Sequence, residues 1–330
     1  MSTFGEKMAF DNYEEIKCCI FDPTGNITAL VETEVRAADR APVASGIMAA
    51  HPEVEQVGFV AYNDAAFAAD TGTDAQVSLM MAGGEFCGNA TMCAAALYVI
   101  RKGMPAAGAV KAKVSGAEAP LSVQVEEISG AGESPCAAGS ARLYDGESAA
   151  GAFYSAAVTM PPAKGIEKIG FAAGSGAIEG AASGKDAGGA FGLPLVRLQG
   201  IDHIIIEPDS GFFGLKDDPA AAESIIRQCC AALGSDCLGM MFLDEAEGSI
   251  CERRMTPLVY VPGADTLFWE NSCASGSAAA GIWLANKAGS PVDVRLHQPA
   301  GSLRGESDPA TGITVLHGTA RLLTQETYKC

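Results

Sequence analysis

Two cysteines stand where a thiol could act as an acid or a base. Cys87 lies in GGEFCGNATMCAAAL, between a run with strand character and an alanine-rich run with helical character. Cys273 lies in ENSCASGSAAAGIWL, in the same order of strand, cysteine, small residues and helix. A thiol at the N-terminus of a helix feels the positive end of the helix dipole, which lowers its pKa toward neutrality. One such cysteine is more often a packing residue, but the duplication favours chemistry.

Two thiols on opposite sides of one carbon atom could invert a stereocentre. A thiolate removes the proton from the α-carbon of a small carboxylate, and a thiol on the other face supplies a new one; the roles are exchanged for the other enantiomer. The carboxylate would be held by the N–H groups of Gly88 and Asn89 at one helix start and of residues 274–277 at the other. These donors would also stabilise the developing carbanion. The chemistry requires no cofactor.

The first half of the chain supplies strands and one helix to position Cys87. The segment IKCCIFDPTGNITALVETEV predicts a hairpin with Gly25 and Asn26 at its tip. Strands are predicted in VEQVGFVAYN and AQVSLMMAG before the cysteine, and in AVKAKVSG and LSVQVEEI after the helix. The helix NATMCAAALYVIRKG ends at a glycine, with Arg101 and Lys102 in its last turn.

The second half repeats this order of elements around Cys273. Strands are predicted in YSAAVTMPPA, VRLQGIDHIIIE, GMMFLDEA and LVYVPGADTLFW, with a helix around Pro219 to Leu233. The Gly-rich stretch 129–151 is either a domain boundary or a decorated loop, and 171–192 is a Gly/Ala-rich insertion. Two halves of related layout would direct both helix starts at a shared cleft.

Length and charge limit the possible functions. A chain of 330 residues favours two domains. The net charge of -18 argues against nucleic acid and anionic membranes as partners, because binding them needs clustered Lys and Arg. The segment MSTFGEKMAFDNYEEIK lacks the apolar core of a secretory signal, and no apolar run is long enough to span a bilayer. We therefore expect a cytoplasmic protein.

Most of the cysteines are expected to be reduced and inert. The chain has 11 cysteines, an odd number, and they do not form a disulfide framework of the secreted type. The sequence contains no CxxC pair, and its 4 histidines are scattered. We therefore expect no zinc or other metal site.

The order of motifs resembles the diaminopimelate epimerase family of cofactor-independent amino-acid racemases over nearly the whole chain. That family's first cysteine motif, Cys-Gly-Asn and a small residue, matches 87–90, and its second, Cys-Gly-Thr-Gly, is matched more loosely by 273–276. Its early Gly-Asn turn corresponds to Gly25 and Asn26. The segments QPAGSLRGE and ITVLHGTARL resemble its closing strands.

The resemblance implies a fold and a set of site residues. The fold class is α/β (α+β), with two pseudo-symmetric domains, 1–154 and 155–314, each a curved, mostly antiparallel sheet around a central helix. The C-terminal strand, 315–330, is a candidate to return to the first domain, and a homodimer is suggested. The resemblance also implies that the ligand is a small amino acid and that no cofactor is needed. The catalytic residues implied are Cys87 and Cys273, and the substrate-binding residues are Asn26, Ser78, Gly88, Asn89, His203, Asp265, Ala274, Ser275 and Gly276.

Departures from the family pattern indicate a substrate other than diaminopimelate. The family's Gly-Asn-Pro-His motif reads Gly-Ile-Asp-His at 200–203, so its asparagine is lost. An ungapped match puts Ala264 and Asp265 at the family's Glu-Arg pair, while Ser78 and Gly239 fall at two further asparagines. An aspartate in place of the arginine favours a distal cation or N–H donor, as in histidine, lysine or ornithine.

Several alternatives stay open at this point. Asn26 and Asn89 are equally compatible with turn and capping roles, His203 with a buried packing role, and Asp265 with a solvated turn. Other functions are diaminopimelate epimerase proper, a proline racemase-like enzyme, and a non-catalytic amino-acid binding protein. The related phenazine-pathway isomerases lack the thiol pair, which argues against that function. Oxidation of the two thiols to a disulfide is a liability of such a site.

Overall fold

The computed structural model describes residues 12–63, 74–104, 107–128, 151–171, 178–181, 192–246 and 251–329. Across these ranges the chain is a mixed α+β protein dominated by strands, with few helices. It divides into two compact units, one formed by Met1–Val158 and His317–Cys330, the other by Thr159–Leu316. None of the described helices is both long and apolar enough to cross a membrane.

The first unit is a sheet wrapped around one helix. Its strands are β1 (Glu15–Asp22), β2 (Thr28–Val31), β3 (Gln56–Tyr62), β4 (Val77–Met81), β5 (Ala107–Val114), β6 (Leu121–Glu127), β7 (Phe153–Thr159) and most of the last strand of the chain, β17 (Ile313–Lys329). Its helices are α1 (Arg40–Ala50) and α2 (Gly88–Lys102).

Hydrogen bonding runs through these strands in chain order and then returns to the start. β2–β3 and β4–β5 are parallel, and the pairs β1–β2, β3–β4, β5–β6 and β6–β7 are antiparallel. β17 pairs with both β7 and β1 and so closes the sheet on itself. The helix α2 packs against β2 to β6 and is buried along most of its length. α1 packs on the other face, where Val43 and Ile47 join the core.

The second unit repeats this combination of sheet and helix. Its strands are β8 (Gly165–Phe171), β9 (Ile178–Ala181), β10 (Gly192–Arg197), β11 (Asp202–Ile206), β12 (Leu238–Glu245), β13 (Glu252–Val261), β14 (Thr266–Trp269), β15 (Val292–Gln298) and β16 (Gly301–Asp308). Its helices are α3 (Pro219–Leu233) and α4 (Ala274–Ala288). β11–β12 and β13–β15 are parallel, while β10–β11, β12–β13 and β15–β16 are antiparallel. α3 contacts β12 and β13, and α4 contacts β10, β11, β12, β15 and β16.

Most of the predicted elements are confirmed. The first hairpin forms between β1 and β2, and its turn places Thr24 and Gly25 at positive φ. The helix before Gly103 ends with that glycine in the left-handed region at φ 56°, as the sequence predicts. The helix at Pro219–Leu233 is also confirmed, with the Asp218 side chain accepting a hydrogen bond from the N–H of Ala221.

Other predictions were wrong in detail. VRLQGIDHIIIE is two strands, because the chain reverses near Gly200 at φ 78°, and LVYVPGADTLFW is broken by a short 3₁₀ turn at Pro262–Ala264. α1 was not predicted, since its few apolar residues give only a weak helical pattern. The described part of the 171–192 insertion contains β9, paired with β8. Most of the Gly-rich stretch 129–151 lies outside the described residues.

Gly116 is the glycine whose replacement tests the packing behind Cys87. It has φ 73°, and an added Cβ would lie 2.5 Å from the amide nitrogen of Phe86, one residue before the cysteine. We expect Gly116→Ala to lower the free energy of unfolding by about 2 kcal/mol or more, because strain and a backbone clash combine. Gly103→Ala is the control: its φ is 56° and nothing lies within 4 Å, so about 1 kcal/mol is expected. Urea unfolding followed by circular dichroism measures both, and equal losses would contradict the packing argument.

Candidate active site

Cys87 is the N-cap of α2. Its backbone is extended at φ -129° and ψ 111°, and its Sγ accepts a hydrogen bond from the N–H of Ala90 at 3.3 Å. The Cys87 carbonyl accepts from the amide of Thr91 at 3.0 Å and from the Thr91 hydroxyl at 2.7 Å. The start of the helix is buried, so these bonds satisfy groups that water does not reach. They also fix the sulfur at the first turn.

Cys273 caps α4 with the same local geometry. Its φ is -123° and its ψ 110°, and its Sγ accepts from the N–H of Gly276 at 3.4 Å. The Cys273 carbonyl accepts from the amide of Ser277 at 3.0 Å and from the Ser277 hydroxyl at 2.7 Å. The two halves therefore share the cap, the backbone dihedrals and a hydroxyl residue four positions after the cysteine.

This capping reduces the set of N–H groups that were predicted to bind a substrate carboxylate. The sequence suggested that the amides of residues 274–277 could all hold a ligand. In the structure the Gly276 N–H is bonded to the sulfur and the Ser277 N–H to the carbonyl of Cys273. The donors left at the very start of the helix are the amides of Ala274 and Ser275, whose residues are buried.

The Cys87 thiol is paired with a neutral amide. Its Sγ donates to Oε1 of Gln56, the first residue of β3. Gln56 lies beside Thr28 in the parallel β2–β3 pair, and its backbone N–H donates to the carbonyl of Ile27 at 3.4 Å. The hairpin that carries Asn26 therefore also positions the contact to the thiol.

The Cys273 thiol is paired with a carboxyl group. Burial is the largest cause that raises the pKa of the Cys273 thiol. The second cause is Glu270, which is 3% exposed and hydrogen-bonds to the thiol. Burial and Glu270 together hold the pKa of Cys273 well above its usual range, although the Ser275 hydroxyl and the Gly276 amide lower it. The sequence had predicted a pKa lowered by the helix dipole. That expectation is wrong for Cys273, because desolvation and a neighbouring carboxylate outweigh the helix start.

Gln298 holds the backbone of the second cysteine. Its Oε1 accepts from the N–H of Cys273 at 2.7 Å, and its Nε2 donates to the Ser277 hydroxyl at 3.0 Å. One amide side chain from the end of β15 thus bonds to both ends of the first turn of α4. Glu270, Gln56 and Gln298 were not among the predicted site residues. The only sequence signal for any of them was the position of Glu270, three residues before Cys273.

In the first unit, the predicted substrate-binding residues are Asn26, Ser78, Gly88 and Asn89. Asn26 is fully buried, and its Nδ2 donates to Oε2 of Glu55 at 2.9 Å. Asn89 is 1% exposed in the first turn of α2. Ser78 lies in β4, where its hydroxyl bonds to the side chain of Asn63. A contact between any of these residues and a substrate stays a prediction.

In the second unit, Ala274, Ser275 and Gly276 lie at the α4 start beside Cys273, whereas Asp265 does not belong to this turn. Asp265 is exposed, at φ 51° in the turn between β13 and β14. The acidic group against the Cys273 thiol is that of Glu270. His203 is fully buried in β11, and burial lowers its pKa to about 3.

The remaining cysteines of the described ranges lie elsewhere in the fold. The nine cysteines there are in the reduced thiol form, and of these nine only Cys251 is exposed. Burial raises the pKa of Cys93 well above its usual range, and raises that of Cys229 to about 12. These thiols are typical of packing residues. The capping pair is set apart by its helix-start position.

Comparison with known proteins identifies the family. The family model described as "Histidine racemase CntK N-terminal domain" matches residues 15–141 and 146–313. That is well over half of the chain, and the chain belongs to this family. A histidine racemase of Staphylococcus aureus is 27% identical over 295 residues, covering 88% of this chain and 88% of that protein. A histidine racemase of Fusobacterium nucleatum subsp. nucleatum is 27% identical over 270 residues, covering 80% of this chain and 79% of that protein.

A solved structure agrees on the fold. A hydroxyproline epimerase from Agrobacterium vitis with bound trans-4-hydroxy-L-proline superposes with a TM-score of 0.55 at 12% identity, covering 95% of this chain and 92% of that one. The prediction of an amino-acid racemase, and hence of an isomerase, is confirmed. The diaminopimelate epimerases are fold relatives of this chain, and the family itself is that of the histidine racemases.

The carboxyl group of Glu270 should control how readily Cys273 reacts. We expect Glu270→Gln to lower the pKa of the Cys273 thiol and to speed its alkylation by iodoacetamide at pH 8, on the order of tenfold, because removing the carboxylate removes a like charge. Mass spectrometry of the peptide containing Cys273 measures the rate. Glu306→Gln, which removes a surface carboxylate paired with Arg304, is the control and should leave the rate unchanged. An equal rate in parent and Glu270→Gln would contradict the assignment.

Proposed function

We propose that this member of the histidine racemase family interconverts L- and D-histidine by a two-thiol mechanism, with Cys87 and Cys273 as the acid and base. The observation that carries the proposal is the identical capping geometry of the two cysteines in a chain whose family is one of racemases. Packing alone gives no reason for a thiol, rather than Ser, Thr, Asn or Asp, at both caps.

The proposed reaction moves one proton from each side. A thiolate takes the α-proton, the electron pair of the C–H bond delocalises into the carboxylate of the substrate, and the opposite thiol donates its proton to the other face. The sulfur that gained the proton is then the acid of the reverse reaction. The amides of Gly88, Ala274 and Ser275 would hold the carboxylate and stabilise the carbanion. The mechanism requires both sulfurs to reach one α-carbon from opposite faces.

The unequal neighbours of the two thiols suggest which one rests protonated. Glu270 and burial raise the pKa of Cys273, so this thiol keeps its proton at neutral pH and acts as the donor. Cys87, beside the uncharged amide of Gln56, would be the base for that enantiomer. The other enantiomer would bind the form in which the proton lies on Cys87.

Histidine is supported by the names of the two curated relatives, which cover most of the chain. It also agrees with the expectation of a basic amino acid as substrate. A contact between Asp265, which lies in an exposed turn, and the substrate stays a prediction. Lysine, ornithine, diaminopimelate and proline are the competing substrates that an assay must include. No cofactor enters the proposed steps.

We also propose that the two units are pseudo-symmetric domains, with the boundary near residue 154 and the last strand in the first domain. The same order of elements occurs in β1–β6 with α1 and α2, and again in β10–β16 with α3 and α4. This order is an antiparallel hairpin, a helical crossover, an antiparallel pair, a buried helix and a second antiparallel pair. The irregularity is β14, which is inserted before the second cysteine. A homodimer is the expected assembly, and analytical ultracentrifugation measures it.

Isotope incorporation distinguishes a two-thiol mechanism from a single base. The protein is incubated with L-histidine in heavy water without added cofactor, and each enantiomer is analysed for α-deuterium at early times. We expect deuterium in the newly formed D-histidine and protium in the remaining L-histidine, because the thiol that donates carries a solvent-derived deuteron while the abstracted proton stays on the other sulfur. Early deuterium in the L-histidine pool would contradict two opposed bases.

Single cysteine variants assign the roles. We expect Cys87→Ser and Cys273→Ser each to lower racemisation by about 10²–10⁴-fold or more, since a hydroxyl is a far weaker acid and base than a thiol. Cys251→Ser, at an exposed cysteine, is the matched control and should retain parental activity. Full activity in either capping-cysteine variant would refute the assignment, and turnover of another amino acid in preference to histidine would correct the substrate.

A further inference from the structure

His203 carries two buried nitrogen atoms that no described residue of the chain satisfies. The residue is 0% exposed, and within the described ranges neither Nδ1 nor Nε2 has a hydrogen-bond partner. Buried polar groups are normally paired, and an unpaired one costs free energy. A fully buried imidazole without a partner therefore points to a ligand group that completes it.

Met241 lies between the His203 imidazole and the first turn of α4, which Cys273 caps. A Cβ added at Gly239 would collide with Nδ1 of His203 and would lie 2.8 Å from Cε of Met241. A Cβ added at Gly276 would collide with Sδ of Met241, and would lie 3.1 Å from its Cε and 3.2 Å from Sγ of Cys273. The end of the Met241 side chain thus lies against both glycines, with His203 on one side and the Cys273 thiol on the other.

The two strands place these side chains on the face that packs against α4. His203 pairs with Gly239 in the parallel β11–β12 ladder. Side chains alternate along a strand, so Met241 shares the face of Gly239, while Met240 points the other way and belongs to the core cluster that contains Ile226 of α3. Helix α4 contacts both β11 and β12. This arrangement lies wholly within the second unit.

We propose that Met241 is a specificity-determining residue of the racemase, and that its thioether gives way to the substrate side chain, which then hydrogen-bonds to His203. The proposal rests on the proposed function and names the side-chain subsite of the same reaction. Gly239 and Gly276 have no side chain where His203 and the end of Met241 lie, so Met241 can occupy this position. Methionine is unbranched and flexible, so its end can move at little cost.

The chemistry of His203 selects the class of side chain. Burial keeps its imidazole neutral, with one nitrogen as donor and the other as acceptor. A neutral imidazole on the substrate presents the same two functions and can pair with it. An apolar ring of the same size would leave the His203 nitrogens unpaired, and a site built to hydrogen-bond a group rejects an analogue without it.

A first experiment reports on the motion of Met241 without depending on turnover. The protein is labelled with ¹³C in the methionine methyl groups, and the Met240 and Met241 signals are assigned with Met240→Leu and Met241→Leu. At saturating histidine we expect the Met241 methyl signal to shift and that of Met240 to stay in place. An unchanged Met241 signal in protein that is racemising histidine would overturn the proposal.

A second experiment tests the hydrogen bond by comparing two rings of equal size. For His203→Phe we expect kcat/KM for histidine to fall by about 10–100-fold, the effect of losing a buried hydrogen bond. The inhibition constant of 2-thienylalanine, whose five-membered ring lacks both nitrogens, should change by less than about threefold, because apolar packing is retained. If His203→Phe weakened the binding of 2-thienylalanine by the same factor as it lowered kcat/KM for histidine, His203 would have only a structural role. His203→Asn, which keeps a donor and an acceptor, should recover part of the histidine activity if it folds better than the Phe variant.

The failure of this inference can be told apart from that of the proposed function. If the parent protein does not racemise histidine, the substrate assignment fails and the subsite assignment fails with it. If the parent racemises histidine but the Met241 signal is fixed and His203→Phe keeps its preference for histidine over thienylalanine, only the subsite is wrong. Met240→Leu, a change of the same size one position away, corrects both readouts for general loss of packing.

Discussion

A sulfur atom used as a helix cap is the interaction on which the buried helix start in each unit depends. A buried helix start must satisfy its leading N–H groups without water. At Cys87 and at Cys273 the thiol accepts the third amide of the helix, and the carbonyl accepts the fourth amide and a hydroxyl. The same bonds that stabilise each helix therefore fix the position of its sulfur. In the proposed mechanism the group that caps the helix is also the acid or base, so a movement of the sulfur would loosen the first turn.

Small residues make this cap possible. A helix that is surrounded by strands has no exposed face, and side chains of ordinary size would hold the sheet away from it. Along α2 the run Ala94–Ala96 is fully buried, and along α4 the run Ala278–Ala280 is too. Glycine is required where another element comes closer still: Gly281 lies against Ser307, whose Oγ would be 2.7 Å from an added Cβ. The alanine-rich runs that follow each cysteine are thus consequences of enclosure.

The two sites differ electrostatically although their caps agree. Cys87 faces the amide of Gln56, and Cys273 faces the carboxyl group of Glu270. L- and D-histidine have equal free energies in water, so under the proposed function this asymmetry could not displace the equilibrium between them. It would set only which protonation form of the two thiols is the resting one. Two thiols with the same capping geometry but different neighbours, Gln56 and Glu270, are compatible with an equilibrium constant of one.

The choice of partner side chains illustrates what local pattern does not reveal. The contact of Gln56 with Cys87 depends on the parallel β2–β3 ladder, which joins segments separated by the α1 crossover. Gln298 reaches Cys273 from 25 residues further along the chain. Glu270 is close to Cys273 in sequence, but the sequence pattern assigned it no role. Contacts between residues far apart in the chain decided the positions of Gln56 and Gln298.

The sequence by itself determined the two capping cysteines, the helices that follow them, most of the strands and the class of reaction, because these depend on short-range patterns of glycine, alanine and β-branched residues. It did not determine the splits at Gly200 and at Pro262–Ala264, the course of α1, or the raised pKa of Cys273. Only the tertiary structure placed Met241 between His203 and Cys273. Burial and side-chain proximity arise from strands that meet far apart in the chain, so no local pattern encodes them.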